Sequence, residues 1–219
     1  MKKLYGIGTG PGAADLLTVR ATNVIKEADV IFAPNNKGTN MALDTAKEYI
    51  ENKKVVLIDF PMGNVTKEDY KKAAEIIFNE IPVDKSGAFL TIGDSMIYST
   101  FIYVMKELED KDIEIEVVPG IPSFVAASCA SKIPLTVKGD SFLLCDEYDE
   151  TLMDKFDSIA VLKTFKNKEE LLNKLEENDF NYTYVKRASL DKQEIISDKE
   201  EILKDTDYIS LILGRKQEV

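Results

Sequence analysis

Residues 2–12 read KKLYGIGTGPG, a short apolar run that leads straight into four glycines and a proline. The run predicts a β-strand over Leu4–Ile7, and the helical spacing of apolar residues farther along predicts a helix over Leu16–Ala28. Between a strand and a helix, glycines let the backbone of an α/β protein pass close to a ligand. Residues 6–12 are therefore either a plain tight turn or a ligand-binding loop, and they leave the ligand unspecified.

The same alternation continues through the first half of the chain. Amphipathic spacing predicts another helix over Thr66–Ile81. Strands that alternate with helices imply a mostly parallel sheet covered by helices on both faces. The further strands predicted here are Asp29–Ala33, Lys54–Phe60, Ala88–Ile92 and Ile113–Val118.

A glycine between two prolines interrupts this pattern in VPGIP, residues 118–122. Because this segment can continue neither a helix nor a central strand, we interpret it as a hinge between two α/β domains, residues 1–118 and 119–219. The second half is richer in strand, which predicts some antiparallel pairing. Its predicted elements are helices over Ser123–Lys132 and Lys168–Glu177 and strands over Ser141–Cys145, Ile159–Lys163, Tyr182–Arg187, Glu194–Ser197 and Tyr208–Leu213.

Composition narrows the possible chemistry. Lys and Arg number 28 against 39 Asp and Glu, a net charge of -11, which argues against nucleic acid and favours a small-molecule partner. The chain contains no histidine, which excludes histidine-dependent catalytic triads and the usual imidazole zinc site, and we predict no metal. The contexts of Cys129 and Cys145 predict two reduced, buried thiols.

The sequence indicates neither a signal peptide nor a membrane-spanning segment. Residues 1–7, MKKLYGI, enter the first strand without the apolar core of a signal peptide. No apolar run approaches the roughly 18 residues that span a membrane. We therefore expect a cytoplasmic protein without membrane contact.

A second glycine turn, GDSMIYST at residues 93–100, follows the predicted strand Ala88–Ile92. Open α/β sheets collect ligands at the carboxyl ends of their strands. A plain interpretation makes the turn a strand exit in which Asp94 or Ser95 caps a helix. A functional interpretation uses the same geometry: the glycine brings the backbone near a ligand, the aspartate accepts hydrogen bonds, and the hydroxyls that end the motif bind polar groups.

The first loop does not match the dinucleotide fingerprint GxGxxG. Pro11 stiffens the turn, and the second predicted strand runs into Phe32-Ala33-Pro34 rather than into an acidic residue. A domain that binds NAD through this loop is therefore a less favoured alternative.

Three segments together resemble the tetrapyrrole (corrin and porphyrin) methylases. They are GTGPGAADLLTVRA (8–21), GDSMIYST (93–100) and VVPGIPSFVAA (117–127), and they match the signatures of that family in order and spacing. The resemblance is good through residue 135 and weak beyond it. Together with IPL (133–135) and FPM (60–62), it is strongest to the members that methylate carbon 20 of precorrin-2 or cobalt-precorrin-2.

The resemblance implies two αβα domains, the first with a mostly parallel sheet and the second with a mixed one. S-adenosyl-L-methionine would bind in a cleft between them and leave as S-adenosyl-L-homocysteine. Ser95 stands where the family usually has proline, so this turn is less rigid. The implied cofactor-binding residues are Pro11, whose loop faces the macrocycle side, and Gly93, Asp94, Ser95, Ile97, Ser99, Thr100, Pro122, Ser123, Leu162 and Ala188.

Methyl transfer from a sulfonium is an in-line displacement in which the electron-rich ring carbon is the nucleophile. Orientation of the reactants and exclusion of water should supply most of the acceleration. A base must then take the proton from the methylated carbon. Without histidine, the candidates are Asp94, another carboxylate, a tyrosine or water, and the sequence does not choose among them.

The implied substrate carries eight carboxylates, whereas the protein is acidic, so local basic residues must offset the repulsion. The candidates near predicted strand ends and loops are Arg20, Lys37, Lys138, Lys163 and Arg187. The resemblance also suggests a homodimer. Whether the substrate already holds cobalt is left open.

Several other functions stay open. Relatives in the same family suggest another ring carbon, uroporphyrinogen, diphthamide or ribosomal RNA as the acceptor, and the acidic balance counts against RNA. Outside methyl transfer, the alternatives are the NAD-binding domain and a tetrapyrrole carrier without catalysis.

Overall fold

The computed structural model describes residues 1–35, 40–61, 65–147, 151, 154–164 and 167–216. The chain divides into two compact units, Met1–Pro122 and Ser123–Val219. Each unit is built on one five-stranded sheet. The first sheet is parallel throughout and the second is mixed, so the predicted α/β fold class is confirmed. In the parts that the structure describes, no helix is long and apolar enough to cross a bilayer.

The first unit alternates strands and helices as its sequence pattern predicts. Its sheet has the order β3-β2-β4-β1-β5. The strands are β1 (Lys2–Gly8), β2 (Val30–Pro34), β3 (Lys54–Ile58), β4 (Ser86–Thr91) and β5 (Ile113–Val118). The helices are α1 (Val19–Glu27), α2 (Met41–Thr45), α3 (Lys67–Glu80) and α4 (Thr100–Glu107).

The side chains of alternate residues on these strands pack into two separate apolar layers. One layer joins the sheet to α1 and α2, and the other joins it to α3 and α4. Both faces are covered, which is why the central strands are apolar at consecutive positions. Neighbouring strand residues that enter opposite layers are Ile31 and Phe32 on β2 and Phe89 and Leu90 on β4.

The first predicted helix begins later than the apolar spacing indicates. A short 3₁₀ turn, Ala14–Leu16, comes first, and Leu17 is extended. The hydroxyl of Thr18 then accepts the Ala21 N–H and caps α1. A threonine cap of this kind sets a helix start more strongly than an apolar residue does, and so the prediction of a start at Leu16 was wrong.

The second unit holds a mixed sheet of order β6-β7-β10-β8-β9. Only the β6–β7 pair is parallel among the described strands of this sheet. The strands are β6 (Phe142–Cys145), β7 (Ser158–Leu162), β8 (Asn181–Lys186), β9 (Glu194–Ile196) and β10 (Ser210–Arg215). The helices are α5 (Ser123–Ser131), α6 (Lys168–Glu177) and α7 (Lys199–Lys204).

The prediction of two buried thiols was wrong for Cys129 and only partly correct for Cys145. Cys129 is exposed, because it lies outside the face of α5 that buries Phe124 and Ala127. Cys145 is half-buried, and burial, with the nearby Asp146 charge, raises its pKa to about 11. This thiol is therefore a poor nucleophile.

A polar network centred on Asp205 ties the end of α7 to β8. One carboxylate oxygen accepts the Tyr184 hydroxyl at 2.8 Å, and the other accepts the Lys186 ammonium at 2.8 Å. The N–H of Asp207 donates to Asp205 at 2.7 Å. Burial alone would raise the pKa of Asp205, but these three donors outweigh it and lower the pKa to about 2.

This network predicts acid sensitivity of the fold. The pKa of an aspartate in an unfolded chain is about 3.9, so Asp205 binds fewer protons in the folded protein than in the unfolded one. Asp205 therefore stabilises the protein above about pH 4. This contribution is lost as the pH falls toward 2. In urea titrations, we expect the free energy of unfolding to fall more steeply between about pH 4 and pH 2 in the wild type than in Asp205→Asn. The variant should be less stable at pH 7 by roughly 2–3 kcal/mol. Equal pH slopes in the two proteins would contradict this assignment.

Candidate active site

Three loops of the first unit meet at the carboxyl edge of its sheet. They follow β1, β4 and β5, which are adjacent in the order β4-β1-β5. The direction in which successive strands are added to the sheet reverses at this point. Ligands of open α/β folds bind at such a reversal. Two backbone hydrogen bonds join the first two loops: Gly10 N to Gly93 O at 3.1 Å, and Gly93 N to Gly10 O at 2.7 Å. Pro11 follows directly and is buried.

Asp94 ties the loop after β4 to the loop after β5. Its Oδ1 accepts the N–H of Met96 at 2.8 Å within its own turn, and its Oδ2 accepts the N–H of Gly120 at 2.9 Å. Both carboxylate oxygens thus hold backbone groups. This geometry favours a structural clamp over a proton-accepting role for Asp94.

The three loops approach so closely that only glycine fits at their contact. A Cβ atom on Gly8 would lie 2.6 Å from the nitrogen of Gly120 and 2.7 Å from the carbonyl oxygen of Gly93. A Cβ atom on Gly120 would overlap that carbonyl and lie 2.6 Å from the carbonyl carbon of Gly8. The absence of side chains at Gly8 and Gly120 therefore lets the three loops pack directly against one another.

Gly93 and Ser95 are buried residues of the loop after β4. Gly93 has a φ of +76°, in the left-handed region that glycine adopts without strain. Ser95 is fully buried, and its hydroxyl has no partner among the described residues. A buried hydroxyl without a partner is costly unless something else supplies one. The residues present therefore fit a ligand that brings hydrogen-bonding groups, as the predicted cofactor does.

The plain interpretation of this turn, in which Asp94 or Ser95 caps a helix, is wrong. Ser99 is the cap of α4, and its Oγ accepts the N–H of Phe101 at 3.0 Å. Asp94 is already used in the clamp. The turn therefore continues through Ser99, and the helix begins at Thr100.

The other predicted residues of this turn face a different space. A cavity of about 200 Å³ lies at the carboxyl ends of β2 and β4. Gly93, Asp94 and Pro122 are not part of its wall. The cavity is lined by Ile97, Ser99 and Thr100 from the predicted set, and also by Pro34, Asn40, Met41, Ala42, Phe89, Leu90, Thr91, Ile92 and Tyr98. The structure thus divides the predicted cofactor residues of the first unit into a loop group and a cavity group.

Three predicted residues belong to the second unit. Ser123 begins α5 and Leu162 ends β7. Ala188, 7% exposed, follows β8 between two residues with positive φ, Arg187 and Ser189. Because β7 and β8 both pair antiparallel with β10, Leu162 and Ala188 lie at the same edge of the second sheet. Their role in binding a cofactor stays a prediction.

The predicted basic residues are largely committed to ion pairs. Arg20 is paired with Glu116, Lys163 with Asp146 at 3.3 Å, and Arg187 with Asp207 at 2.5 Å. Lys138 is exposed, and Lys37 lies outside the described residues. Such pairing weakens the case for Arg20, Lys163 and Arg187 as partners of substrate carboxylates.

Comparison with known proteins identifies the family. Residues 3–203 match the model of the Tetrapyrrole (Corrin/Porphyrin) Methylases. The chain belongs to this family. The glycine loops described above are thus part of a tetrapyrrole methylase fold.

Individual relatives match between 74% and 99% of the chain. The chain is 37% identical to a probable cobalt-precorrin-2 C(20)-methyltransferase of Methanocaldococcus jannaschii, over 99% of this chain and 97% of the relative. It is 30% identical to the cobalt-precorrin-2 C(20)-methyltransferase of Salmonella typhimurium, over 74% and 73%. A crystal structure of the uroporphyrin-III C-methyltransferase of Thermus thermophilus, complexed with S-adenosylhomocysteine, has the same fold, with a TM-score of 0.71, 20% identity and coverage of 98% and 97%.

Sequence reasoning missed two features of this tetrapyrrole methylase. Thr91, the last residue of β4, has a buried hydroxyl without a partner among the described residues. Asn40 caps α2 by accepting the N–H of Leu43, and its amide donates to the carbonyl of Pro34. An asparagine before an apolar pair was a usable cap signal, whereas nothing in the local sequence distinguishes Thr91.

Proposed function

We propose that this chain is an S-adenosyl-L-methionine-dependent methyltransferase that methylates carbon 20 of precorrin-2 or cobalt-precorrin-2 in cobalamin biosynthesis. The observation that carries the proposal is the 37% identity, over 99% of the chain, to a relative with that activity in its name. The contacts among the three signature loops at one sheet edge also support the proposal.

The cofactor supplies an electrophilic methyl group on a sulfonium. In the first unit, the residues that would hold it are Gly93, Asp94, Ser95 and Pro122, and the buried Ser95 hydroxyl among them has no partner among the described residues. Support for the cofactor comes from the family, including the S-adenosylhomocysteine complex of the Thermus thermophilus relative. Ser123, Leu162 and Ala188 are proposed as further contacts from the second unit.

The contribution of the protein to catalysis would be mainly positional. Loops that are fixed to each other by paired hydrogen bonds and by the Asp94 clamp hold their peptide groups in place without rearrangement. Holding two reactants in near-attack geometry can be worth roughly 7–11 kcal/mol of the barrier. No nucleophilic side chain is required, because the ring carbon is the nucleophile.

Loss of the proton from the methylated carbon needs an acceptor. Since both oxygens of Asp94 already accept backbone N–H groups, we assign this step to another carboxylate, a tyrosine or water. A homodimer, suggested by the resemblance alone, is a further proposal, and the elution volume on a calibrated sizing column tests it.

The experiment that tests the function combines binding with turnover. Calorimetry should show saturable binding of S-adenosylhomocysteine and no binding of NAD. Incubation with S-adenosylmethionine should add one methyl group to precorrin-2, and parallel reactions with metal-free and cobalt-loaded substrate would identify the preferred form. Protection from thermal unfolding by NAD alone, or methyl transfer to ribosomal RNA with none to the tetrapyrrole, would overturn the proposal.

A further inference from the structure

The turn after β8 leaves the peptide groups of one buried residue unpaired. Ala188 is buried, and neither its N–H nor its carbonyl has a hydrogen-bond partner among the described residues. Its two neighbours differ in this respect. The N–H of Arg187 donates to the carbonyl of Ile209 at 2.8 Å, and the N–H of Ser189 donates to the side-chain oxygen of Gln193 at 2.8 Å. Because buried peptide groups are almost always paired, the donor and the acceptor of Ala188 suit a ligand.

The backbone on both sides of Ala188 is strained. Arg187 has a φ of +52° and Ser189 a φ of +66°, in the left-handed region that residues other than glycine rarely adopt. Strained conformations of this kind persist only where the surrounding structure fixes them, and they cluster at ligand-binding sites. The turn therefore needs an anchor.

The ion pair between Arg187 and Asp207 supplies this anchor. The Oδ2 atom of Asp207 accepts the Nε–H of Arg187 at 2.5 Å, and its Oδ1 atom accepts the N–H of Ile209 at 2.9 Å. Two hydrogen bonds, one from the side chain and one from the backbone, thus join Arg187 to residues 207–209. The Asp207 side chain is only 15% exposed, so solvent screens this pair less than it screens a pair on the open surface.

We propose that the Arg187–Asp207 ion pair is a positioning element, which holds the N–H and the carbonyl of Ala188 in the geometry that receives S-adenosyl-L-methionine. The inference rests on the proposed function and on the proposed contact at Ala188. Arg187 acts through the turn and does not itself touch the cofactor. Its commitment to Asp207 favours this role over direct binding of a substrate carboxylate.

The test compares two single variants and their combination. Arg187→Gly removes the guanidinium and tolerates a positive φ, so the turn loses its anchor without added strain. Ordering one freed residue on binding costs about a factor of 10. The dissociation constant of S-adenosylhomocysteine and KM for S-adenosylmethionine should therefore each rise about 10-fold, while KM for precorrin-2 stays unchanged.

Asp207→Asn should have the same effect, because it places an NH₂ group against the Nε–H of Arg187. The double variant should bind S-adenosylhomocysteine no more weakly than either single variant, as expected for two residues that act through one interaction.

Asp140→Asn is the matched control. Asp140 is paired with Arg215, at the opposite edge of the same sheet, where the end of β10 lies beside the start of β7. Its carboxylate also accepts a backbone N–H, that of Val137 at 3.0 Å. This variant should have a lower melting temperature and an unchanged affinity for S-adenosylhomocysteine.

The other outcomes overturn the inference in different ways. If both single variants bind S-adenosylhomocysteine like the wild type, the ion pair does not position the turn, and the proposed function stands. If Asp140→Asn weakens binding to the same extent, the loss reflects the stability of the second unit. If Arg187→Gly raises KM for precorrin-2 and Asp207→Asn does not, Arg187 contacts the substrate directly. A wild type that neither binds S-adenosylhomocysteine nor transfers a methyl group overturns the proposed function as well.

Discussion

Gly120→Ala should lower the rate of methyl transfer by about 100-fold, the loss expected when reacting groups shift by an ångström, and should weaken the binding of S-adenosylhomocysteine. A Cβ at this position would overlap the carbonyl oxygen of Gly93 and crowd the backbone of Gly8. Backbone atoms cannot rotate aside as a side chain can, so the loops must separate. Stability should fall by about 3 kcal/mol, the upper end of the usual cost of overpacking. Calorimetric titration and urea unfolding measure the two effects.

Gly139→Ala is the matched control for this prediction. Gly139 has a φ of +101°, and a Cβ there meets nothing within 4 Å. This variant therefore has only the conformational cost of the left-handed region, about 1–2 kcal/mol, and should bind S-adenosylhomocysteine normally. If Gly120→Ala behaves like Gly139→Ala, the close approach of the three loops is not what forms the site.

Asp94→Asn should destabilise the protein by about 1–3 kcal/mol and weaken S-adenosylhomocysteine binding by about 10-fold. Asparagine keeps one acceptor oxygen and turns an NH₂ group toward either the Met96 or the Gly120 N–H, so a backbone donor loses its partner. The loop after β4 is then no longer fixed to the loop after β5. The measurements are urea unfolding, calorimetry, and kcat and KM over a range of pH.

Asp29→Asn is the control for this substitution. Asp29 also joins two segments, through Ser86 N–H at 3.0 Å and Lys85 at 2.9 Å, but at the amino-terminal edge of the same sheet. The Asp29→Asn variant should be less stable than the wild type and should keep its affinity for S-adenosylhomocysteine. If Asp94→Asn instead keeps that affinity, loses kcat and loses an ionisation from the pH profile, then Asp94 is the base and the clamp interpretation is wrong.

The fold was predictable because its strands and longer helices carry strong local patterns. The apolar run over Ala88–Ile92 and the spacing over Thr66–Ile81 reappear as β4 and α3, the latter with a capping box between Thr66 and Asp69. Helix α2 escaped prediction because five residues are too few to show helical periodicity. The start of α4 was misplaced because several residues of GDSMIYST can cap a helix.

The site was only partly predictable. The motifs indicated which loops bind a ligand, but the partners of their side chains depend on long-range contacts. Gly120, which completes the clamp, lies 26 residues from Asp94. The pairing of Arg20 with Glu116 joins residues 96 positions apart. The cavity brings α2 against the end of β4, and no local pattern encodes that packing.

The most direct test is to locate the transferred methyl group. The protein is incubated with precorrin-2 or cobalt-precorrin-2 and with S-adenosylmethionine labelled with ¹³C in its methyl group, and the product is examined by NMR and mass spectrometry. We expect one labelled methyl per macrocycle, bonded to carbon 20. A label on any other ring carbon, or an unlabelled macrocycle after prolonged incubation with protein that binds S-adenosylhomocysteine, would contradict the proposed reaction.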